Sequence, residues 1–244
     1  MTKLFARFLV ALVNLATVFL SRWRKLTVRA RVHDGLAPQT TVTVNGVDLT
    51  LLVPDRTSVY WSRHGFDSEP NTLSWIDKFG AGDVFYDIGA NIGAYTLYAA
   101  KARSVPVVAF EPNPFSYRVL VHNFHLNAIT DRVLPLCLAA GGPDENGIGL
   151  QVLAFRLDDL AAIEGIPAPT HVKIDVDGIE AAILEGAKSL LSGPGVKSVL
   201  IEMLTHDDAA QARITSLLGE CGLKPVDLPD DGSDNRLFTH VTRA

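Results

Sequence analysis

Residues 83–101, DVFYDIGANIGAYTLYAAK, decide how this chain is read. Val84, Phe85 and Tyr86 form a short β-favouring run of the kind that makes an interior strand. Gly89 and Gly93 bracket a turn in which the backbone must come close to something. Tyr95–Lys101 then continues as a good helix former. Asp87 stands at the carboxyl end of the strand, the edge at which open parallel sheets bind their ligands. A second apolar strand follows in VVAFEPN, Val107–Asn113. Glu111 is at its tip, 24 positions beyond Asp87. A carboxylate there accepts both hydroxyls of a ribose, so the two strands mark a nucleoside site.

The glycine spacing selects among nucleosides. Dinucleotide sites use G-x-G-x-x-G because pyrophosphate needs close backbone approach and a helix N-terminus. Here the order is Asp87, Ile88, Gly89, Ala90, Asn91, Ile92, Gly93, and the middle glycine is missing. An acid in the loop repels phosphate and suits a cationic, phosphate-free ligand. S-adenosylmethionine, with an ammonium, a sulfonium and a ribose, fits better than a nicotinamide dinucleotide. The expected cofactor-binding residues are Asp87, Gly89, Asn91, Gly93, Glu111 and Asn113, with Pro114 also shaping the pocket and the adenine near Leu138–Gly141.

Two further stretches carry a family resemblance. EPNPFSYRVLVHNFHLN (Glu111–Asn127) and VKIDVDGIEAAILEGA (Val172–Ala187), with the glycine loop, resemble the FkbM family of S-adenosylmethionine-dependent methyltransferases. That family's pattern is D-x-G-A-N-x-G, then E-P with N-x-x-L-N, then K-I-D-x-E-G-x-E-x-x-V-L-x-G. The match runs from about Glu69 to Glu202 and departs mildly at Asp177 and Ile183. The resemblance implies a methyl donor and adds Glu69 as a residue that touches it, although an acid opening a helix also favours the macrodipole. It implies an acceptor hydroxyl on a sugar, glycan or secondary metabolite.

The chain has 244 residues, with 48% hydrophobic and 20% charged content, which suits one α/β domain with a small appendage. Cys137 and Cys221 form no C-x-x-C or Cys/His cluster, so they read as reduced core cysteines in a cytosolic protein, and a zinc site is not expected. Net charge is −5, unevenly placed. Residues 1–31 hold seven basic residues and no acid, while the remainder carries 15 Lys and Arg against 27 Asp and Glu, a net −12. Such an acidic body argues against nucleic acid as partner. A small-molecule or glycan acceptor is expected instead.

Phe8–Leu20 is a 13-residue, largely apolar stretch interrupted by Asn14, short of the roughly 20 apolar residues that a bilayer span needs. Arg22, Trp23, Arg24 and Lys25 follow it in place of a small-residue cleavage site. Three readings stand: a helix packed on the catalytic domain, an interfacial membrane helix, or an anchor. Residues 4–25 are thus a candidate for association with a membrane surface. The expected location is cytoplasmic, peripheral to the inner face of a membrane if this segment engages lipid; if it spans, the stronger basic flank on its C-terminal side keeps the catalytic part cytoplasmic.

The expected organisation is an N-terminal apolar and basic helix (1–27), a small β extension (28–68) and a methyltransferase domain (69–244). In the extension, Asn45-Gly46 between alternating runs signals a hairpin. Glu69 and Pro70 open a helix whose Trp75, Ile76 and Phe79 share a face. From Asp83 onward strands and helices alternate, implying a parallel sheet. Strands are expected at Val84–Asp87, Val107–Glu111, Val133–Leu138, Val172–Asp175 and Val199–Glu202, with a short one at Gln151–Phe155. Helices are expected at Ala94–Lys101, Phe115–Asn127, Leu157–Ile163, Ile179–Leu191 and Asp208–Cys221. A closing hairpin, Lys224–Leu228 with Leu237–Val241, completes the fold class. That class is α/β, a seven-stranded mostly parallel Rossmann-like sheet with helices on both faces.

Methyl transfer from a sulfonium is an in-line displacement that needs alignment and, for a hydroxyl, a base. The candidates are Lys173, Asp175, Glu202 and His206. Strand alternation puts Lys173 and Asp175 on one side, able to pair. Glu202 ends the fifth strand, and His206 follows it as a group that titrates near neutrality. Glu180 reads as a helix-start acid, His122 and His125 as surface or packing residues, and Asn127 as a helix end that tolerates the left-handed conformation. Asp175 and Asp177 at i, i+2 are a weak signal for Mg²⁺, and no metal is expected. The competing functions are a nicotinamide-dependent oxidoreductase, for which no Tyr-x-x-x-Lys relay is present, and a non-catalytic membrane-associated binding protein of the same fold.

Overall fold

A computed structural model describes residues 2–36, 38–141, 153–176, 178–203 and 207–240. The chain divides into two compact units, Met1–Gln39 and Thr40–Ala244. The first holds α1 (Thr2–Ala16) and α2 (Arg22–Gly35). Arg29 Nη2 donates to Asn14 Oδ1 at 2.6 Å and ties the two helices together. The expected β extension does not begin at Val28, because α2 runs through that residue to Gly35. Arg, Lys, Leu and Ala outweigh the β-branched Thr27, Val28 and Val32 in helix propensity.

The second unit opens with a hairpin of β1 (Gln39–Val44) and β2 (Val47–Leu52). Asn45 (φ 46°) and Gly46 (φ 79°) are both left-handed, as a two-residue I′ turn requires. α3 (Arg56–Tyr60) runs into a π-helical turn at Trp61–Gly65, and α4 (Pro70–Ile76) starts at the expected Glu69-Pro70. Trp75, Ile76 and Phe79 are all buried, as their spacing requires.

The strands then follow in sequence. β3 (Phe85–Ile88) leads to α5 (Ala94–Tyr98), which ends in a π-helical turn at Ala99–Arg103. Next come β4 (Val107–Phe110), α6 (Pro114–Leu126) and β5 (Val133–Leu136). Two-residue strands β6 (Ala139–Ala140) and β7 (Ala154–Phe155) pair in parallel ahead of α7 (Leu157–Leu160). Residues 151 and 152 of the expected Gln151–Phe155 strand lie outside the described residues. β8 (His171–Ile174), α8 (Glu180–Glu185), α9 (Lys188–Ser192), β9 (Ser198–Glu202), α10 (Asp208–Glu220), β10 (Leu223–Val226) and β11 (Asn235–His240) complete the unit.

The helix expected over Ile179–Leu191 is two helices. A Cβ at Gly186 would lie 2.4 Å from the Gly141 carbonyl oxygen, so the chain breaks where only glycine allows that approach. The Asp158 carboxylate then receives the backbone N–H groups of Ser189 and Leu190 and starts α9.

The main sheet has seven strands in the order β10-β11-β9-β8-β3-β4-β5. β11 alone runs antiparallel to its neighbours β9 and β10. The order reverses between β3 and β8, the switch point at which such sheets open a crevice beyond their carboxyl ends. β3, β4 and β8 are buried on both faces. Alternation sorts their side chains. Tyr86, Ile88, Val108, Phe110, Val172 and Ile174 join one apolar cluster with Ile183, Leu191 and Leu217. Phe85, Val107, Ala109 and Leu200 join another with Trp75, Phe79 and Leu97. Asp87, Lys173 and Glu202 share this second face by the same period of two.

Candidate functional site

The loop after β3 is shaped by three left-handed residues, Gly89 (φ 85°), Asn91 (φ 51°) and Gly93 (φ 85°). The N–H groups of Gly89 and Ala90 both donate to the Phe110 carbonyl, at 3.0 and 2.9 Å. The N–H of Asn91 donates to Glu111 Oε2 at 2.8 Å, and the N–H of Asn113 to Glu111 Oε1 at 2.7 Å. Glu111 is therefore the keystone that joins the tips of β3 and β4. Burial pushes its carboxyl up from the ordinary range, against the pull of these two backbone donors. Each oxygen keeps lone-pair capacity for a ligand hydroxyl.

The two glycines serve close packing of protein on protein. A Cβ at Gly89 would sit 1.8 Å from the Asp175 carbonyl oxygen, so this residue lets the β3 and β8 tips touch. A Cβ at Gly93 would meet Phe124 at 3.1 Å and Leu120 at 3.3 Å. Gly93 thus seats α5 on α6. Asn113 spends its Oδ1 on the Phe115 N–H as the N-cap of α6, while it still borders the cavity described next.

A cavity of about 660 Å³ opens at the switch point. Its polar wall is Asp87, Asn91, Glu111, Lys173, Asp175 and Glu202, and its apolar wall includes Trp61, Tyr95, Val176 and Ile179. The expected residues Asp87, Gly89, Asn91, Glu111, Asn113, Lys173, Asp175 and Glu202 thus converge on one space. The side-chain oxygen of Asn91 is buried with no hydrogen-bond partner in the protein. It is an acceptor waiting for a donor.

Asp87 is buried and accepts from Thr96 Oγ1 at 2.5 Å. Burial pushes its pKa up to about 6, although Lys173 and Thr96 pull it back. Lys173 lies beside it across the β3–β8 pair and is 1% exposed. Its ammonium bonds Asp175 Oδ2, lies 3.8 Å from Glu69 Oε2 and sits 4.8 Å over the Tyr95 ring. Burial lowers the Lys173 pKa, but the surrounding carboxylates outweigh it and the net direction is up, so the group stays charged. Asp175 resists its own burial through Lys173 and is held below its ordinary range. Glu202 is pushed up to about 8 by burial and by the Asp175 charge, to which it donates a hydrogen bond when protonated. At neutral pH the two carboxyls hold one proton between them.

Glu69 departs from expectation in its contacts. Its Oε2 accepts from Thr72 Oγ1 and Asn235 Nδ2, both at 2.9 Å, and faces Lys173. It sits behind the lysine, outside the cavity lining. Glu180 accepts from the Gly178 N–H at 3.1 Å and closes that turn. His206 and Asp177 lie outside the described residues. Among the described residues no group of three or more His, Cys, Asp or Glu could hold a metal ion. Cys221 is buried, but Cys137 is exposed and so is not a core cysteine. The N-x-x-L-N run docks the hairpin: Asn123 Oδ1 accepts from the Leu52 N–H, and the Asn127 amide bonds both the N–H and the C=O of Thr50. The left-handed residue after α6 is Ala128, not Asn127.

Sequence reasoning missed Trp61, Tyr95, Thr96 and Asn235. Thr96 and Tyr95 follow the glycine loop on the first turn of a helix, a position that announces them only in hindsight of which face they show. Trp61 reaches the cavity, and Asn235 reaches Glu69 behind it, from distant segments that carry no local signal.

The TRM5/TYW2 methyltransferase domain family matches residues 40–140. The hexuronic acid methyltransferase AglP of Haloferax volcanii is 27% identical over 157 residues, covering 58% of this chain and 63% of that protein. The tRNA (guanine(37)-N(1))-methyltransferase of Xenopus tropicalis is 28% identical over 68% of this chain and 34% of its own length. The 31-O-demethyl-FK506 methyltransferase FkbM of Streptomyces tacrolimicus is 27% identical over 67% of this chain and 77% of its own length. The chain thus spans under two thirds of the first two of these relatives. A crystal structure of a methyltransferase FkbM from Methylobacillus flagellatus shares the fold, with a TM-score of 0.53 at 22% identity over 67% of this chain and 44% of that one.

Proposed function

We propose that this chain, an FkbM-like member of the S-adenosylmethionine-dependent methyltransferases, methylates a hydroxyl of a sugar, glycan or secondary metabolite. The observation that carries this reading is the anionic cavity at the switch point, with a Lys173–Asp175–Glu202 cluster in its wall. S-adenosylmethionine supplies a methyl group activated by a sulfonium. Glu111 is suited to the ribose diol, and the unpartnered Asn91 oxygen to the ammonium. Asp87 and Asp175 lend the negative potential that a cationic donor wants and a pyrophosphate does not. A hydroxyl that accepts a methyl group loses its proton. Asp175, kept ionised by Lys173, takes that proton, and its pair with Glu202 passes from one proton to two. Trp61 and Tyr95 border the same space and limit water. Glu69 and Asn235 act one step back by fixing Lys173.

The names of the archaeal hexuronic acid enzyme and of the Streptomyces enzyme support an oxygen acceptor on a small molecule or glycan. The net −12 beyond residue 31 weighs against a nucleic acid, whose dense phosphate charge calls for a basic face. A tRNA base is the second reading, favoured by the name of the Xenopus tropicalis relative. Titration calorimetry of the full chain with S-adenosylmethionine, S-adenosylhomocysteine and NAD tests the donor. Binding of the first two and not the third is expected, and binding of NAD alone overturns the reading. Labelled methyl transfer into hexuronic-acid oligosaccharides and into total tRNA then tests the acceptor. Label in tRNA alone rejects the small-molecule or glycan acceptor, and donor binding with no transfer to any acceptor favours a binding protein.

A further inference from the structure

The N-terminal unit presents an unusual surface. Lys3, Arg7 and Asn14 of α1 fall on one narrow stripe at helical spacing. Around the rest of the helix Leu4, Phe5, Phe8, Leu9, Leu12 and Leu15 are all between 44% and 76% exposed. Asn14, the polar member nearest the turn, is tied to Arg29, so α2 is joined to α1 on the polar side. α2 brings Arg22, Arg24, Lys25, Arg29 and Arg31, and Trp23 among them is 74% exposed. Seven cations and no acid occupy residues 1–31. No helix among the described residues is long and apolar enough to cross a membrane.

We infer that this unit docks the protein on an anionic bilayer surface. α1 enters the interface with its apolar arc, and α2 lies among the headgroups. The charge argues for anionic lipid, since each Lys or Arg near such a surface adds attraction that falls off within a Debye length. The apolar arc argues against a nucleic acid, because exposed Phe and Leu on a helix contribute nothing to phosphate contacts. An amphipathic helix alone binds reversibly, and the cationic α2 supplies the second signal that stable attachment needs. Trp23 between basic residues matches an interfacial anchor, apolar in body with a polar edge. The inference concerns where the protein works and stands whichever acceptor is methylated.

The test is co-sedimentation of the full chain with phosphatidylcholine vesicles, with and without phosphatidylglycerol, at low and high salt. Binding is expected on the anionic vesicles and should weaken with salt. The double variant Phe5→Ser, Phe8→Ser should lower the partition by about tenfold or more. The triple variant Arg22→Glu, Arg24→Glu, Lys25→Glu should lower it by about 100-fold on anionic vesicles, with little change on neutral ones. Donor binding by calorimetry in the same variants guards against misfolding, since none of these residues borders the cavity. Vesicle partition unchanged in both variants overturns the inference. So does binding to total tRNA that both serine changes leave intact, in a chain that ignores vesicles. Self-association abolished by the serine changes, again without vesicle binding, assigns the face to a second copy and also overturns it.

Discussion

At the amino end of the central strands, Asp83, His171, Lys197 and Ser198 form one polar cluster. At the carboxyl end, on the same face of the sheet, Asp87, Lys173, Asp175 and Glu202 form another. The first is mostly paired, although His171 Nε2 is buried without a hydrogen bond. Asp83 accepts from Lys197 Nζ at 2.6 Å and from the Gly80 N–H at 2.8 Å, and faces His171 Nε2 at 3.3 Å. Burial raises its pKa, but these partners prevail and hold it at about 2. His171 shares Ser198 Oγ with Trp75 Nε1 and stacks on Phe79 at 4.1 Å. Burial keeps its imidazole below the usual range, and so neutral. The second cluster has more acids than its lysine can serve. Asp87 is driven to about 6 and Glu202 to about 8. One end therefore stabilises the native state, and the other stores unfavourable charge where a cationic ligand relieves it.

The sharpest way to break this contrast is Lys173→Met. It leaves Glu69, Asp87 and Asp175 facing an apolar side chain, and a loss of about 3–5 kcal/mol is expected. The deficit should shrink at low pH as the acids protonate, and thermal unfolding across pH checks both. An unchanged midpoint at neutral pH would mean the cluster is not under charge strain. Next in size, Glu111→Ala should weaken donor affinity by about 1.5–3 kcal/mol, read by calorimetry. Unaltered affinity would remove Glu111 from the donor site. Asp83→Asn should cost about 2 kcal/mol of stability and leave donor affinity alone, which separates the two ends.

The pH dependence has opposite signs at the two ends. The Asp83 pKa is depressed in the native state, so its contribution is present above pH 3.8 and is lost as pH falls toward about 2. The Glu202 pKa is raised, so the native state loses stability relative to the unfolded chain as pH rises from 4.5 through about 8. Glu202→Gln removes that penalty. Its unfolding midpoint should match the parent near pH 4.5 and exceed it progressively toward pH 8. A constant offset across that range would show that Glu202 does not titrate as the cluster requires. Methyl transfer in the same variant should fall, because an amide cannot share the proton.

The local signals that survived folding were those enforced by short-range physics. Period-two alternation in β3, β4 and β8 placed Asp87 and Lys173 on one face, and Asn45-Gly46 set a hairpin by its two left-handed residues. The strand tips at Asp87 and Glu111 follow from the order of strand, glycine turn and helix. The local reading fell short where a distant segment intervened. Gly93 makes room for Leu120 and Phe124, packing that its own loop does not announce. One helix became α8 and α9 because Gly141 approaches Gly186. Asn127 does cap the end of α6, but without the left-handed conformation, and its side chain holds Thr50 by both backbone groups.

By itself the sequence determined the strand–loop–helix signature, the acid at each strand tip and the separation of a basic N-terminal segment from an acidic body, because each depends on neighbours along the chain. Only the tertiary structure decided which acids share a proton and which lysine serves them. Coulomb interactions and burial act through space, and Glu69, Lys173, Glu202 and Asn235 become neighbours only when β8, β9 and β11 pair and α4 packs across their ends.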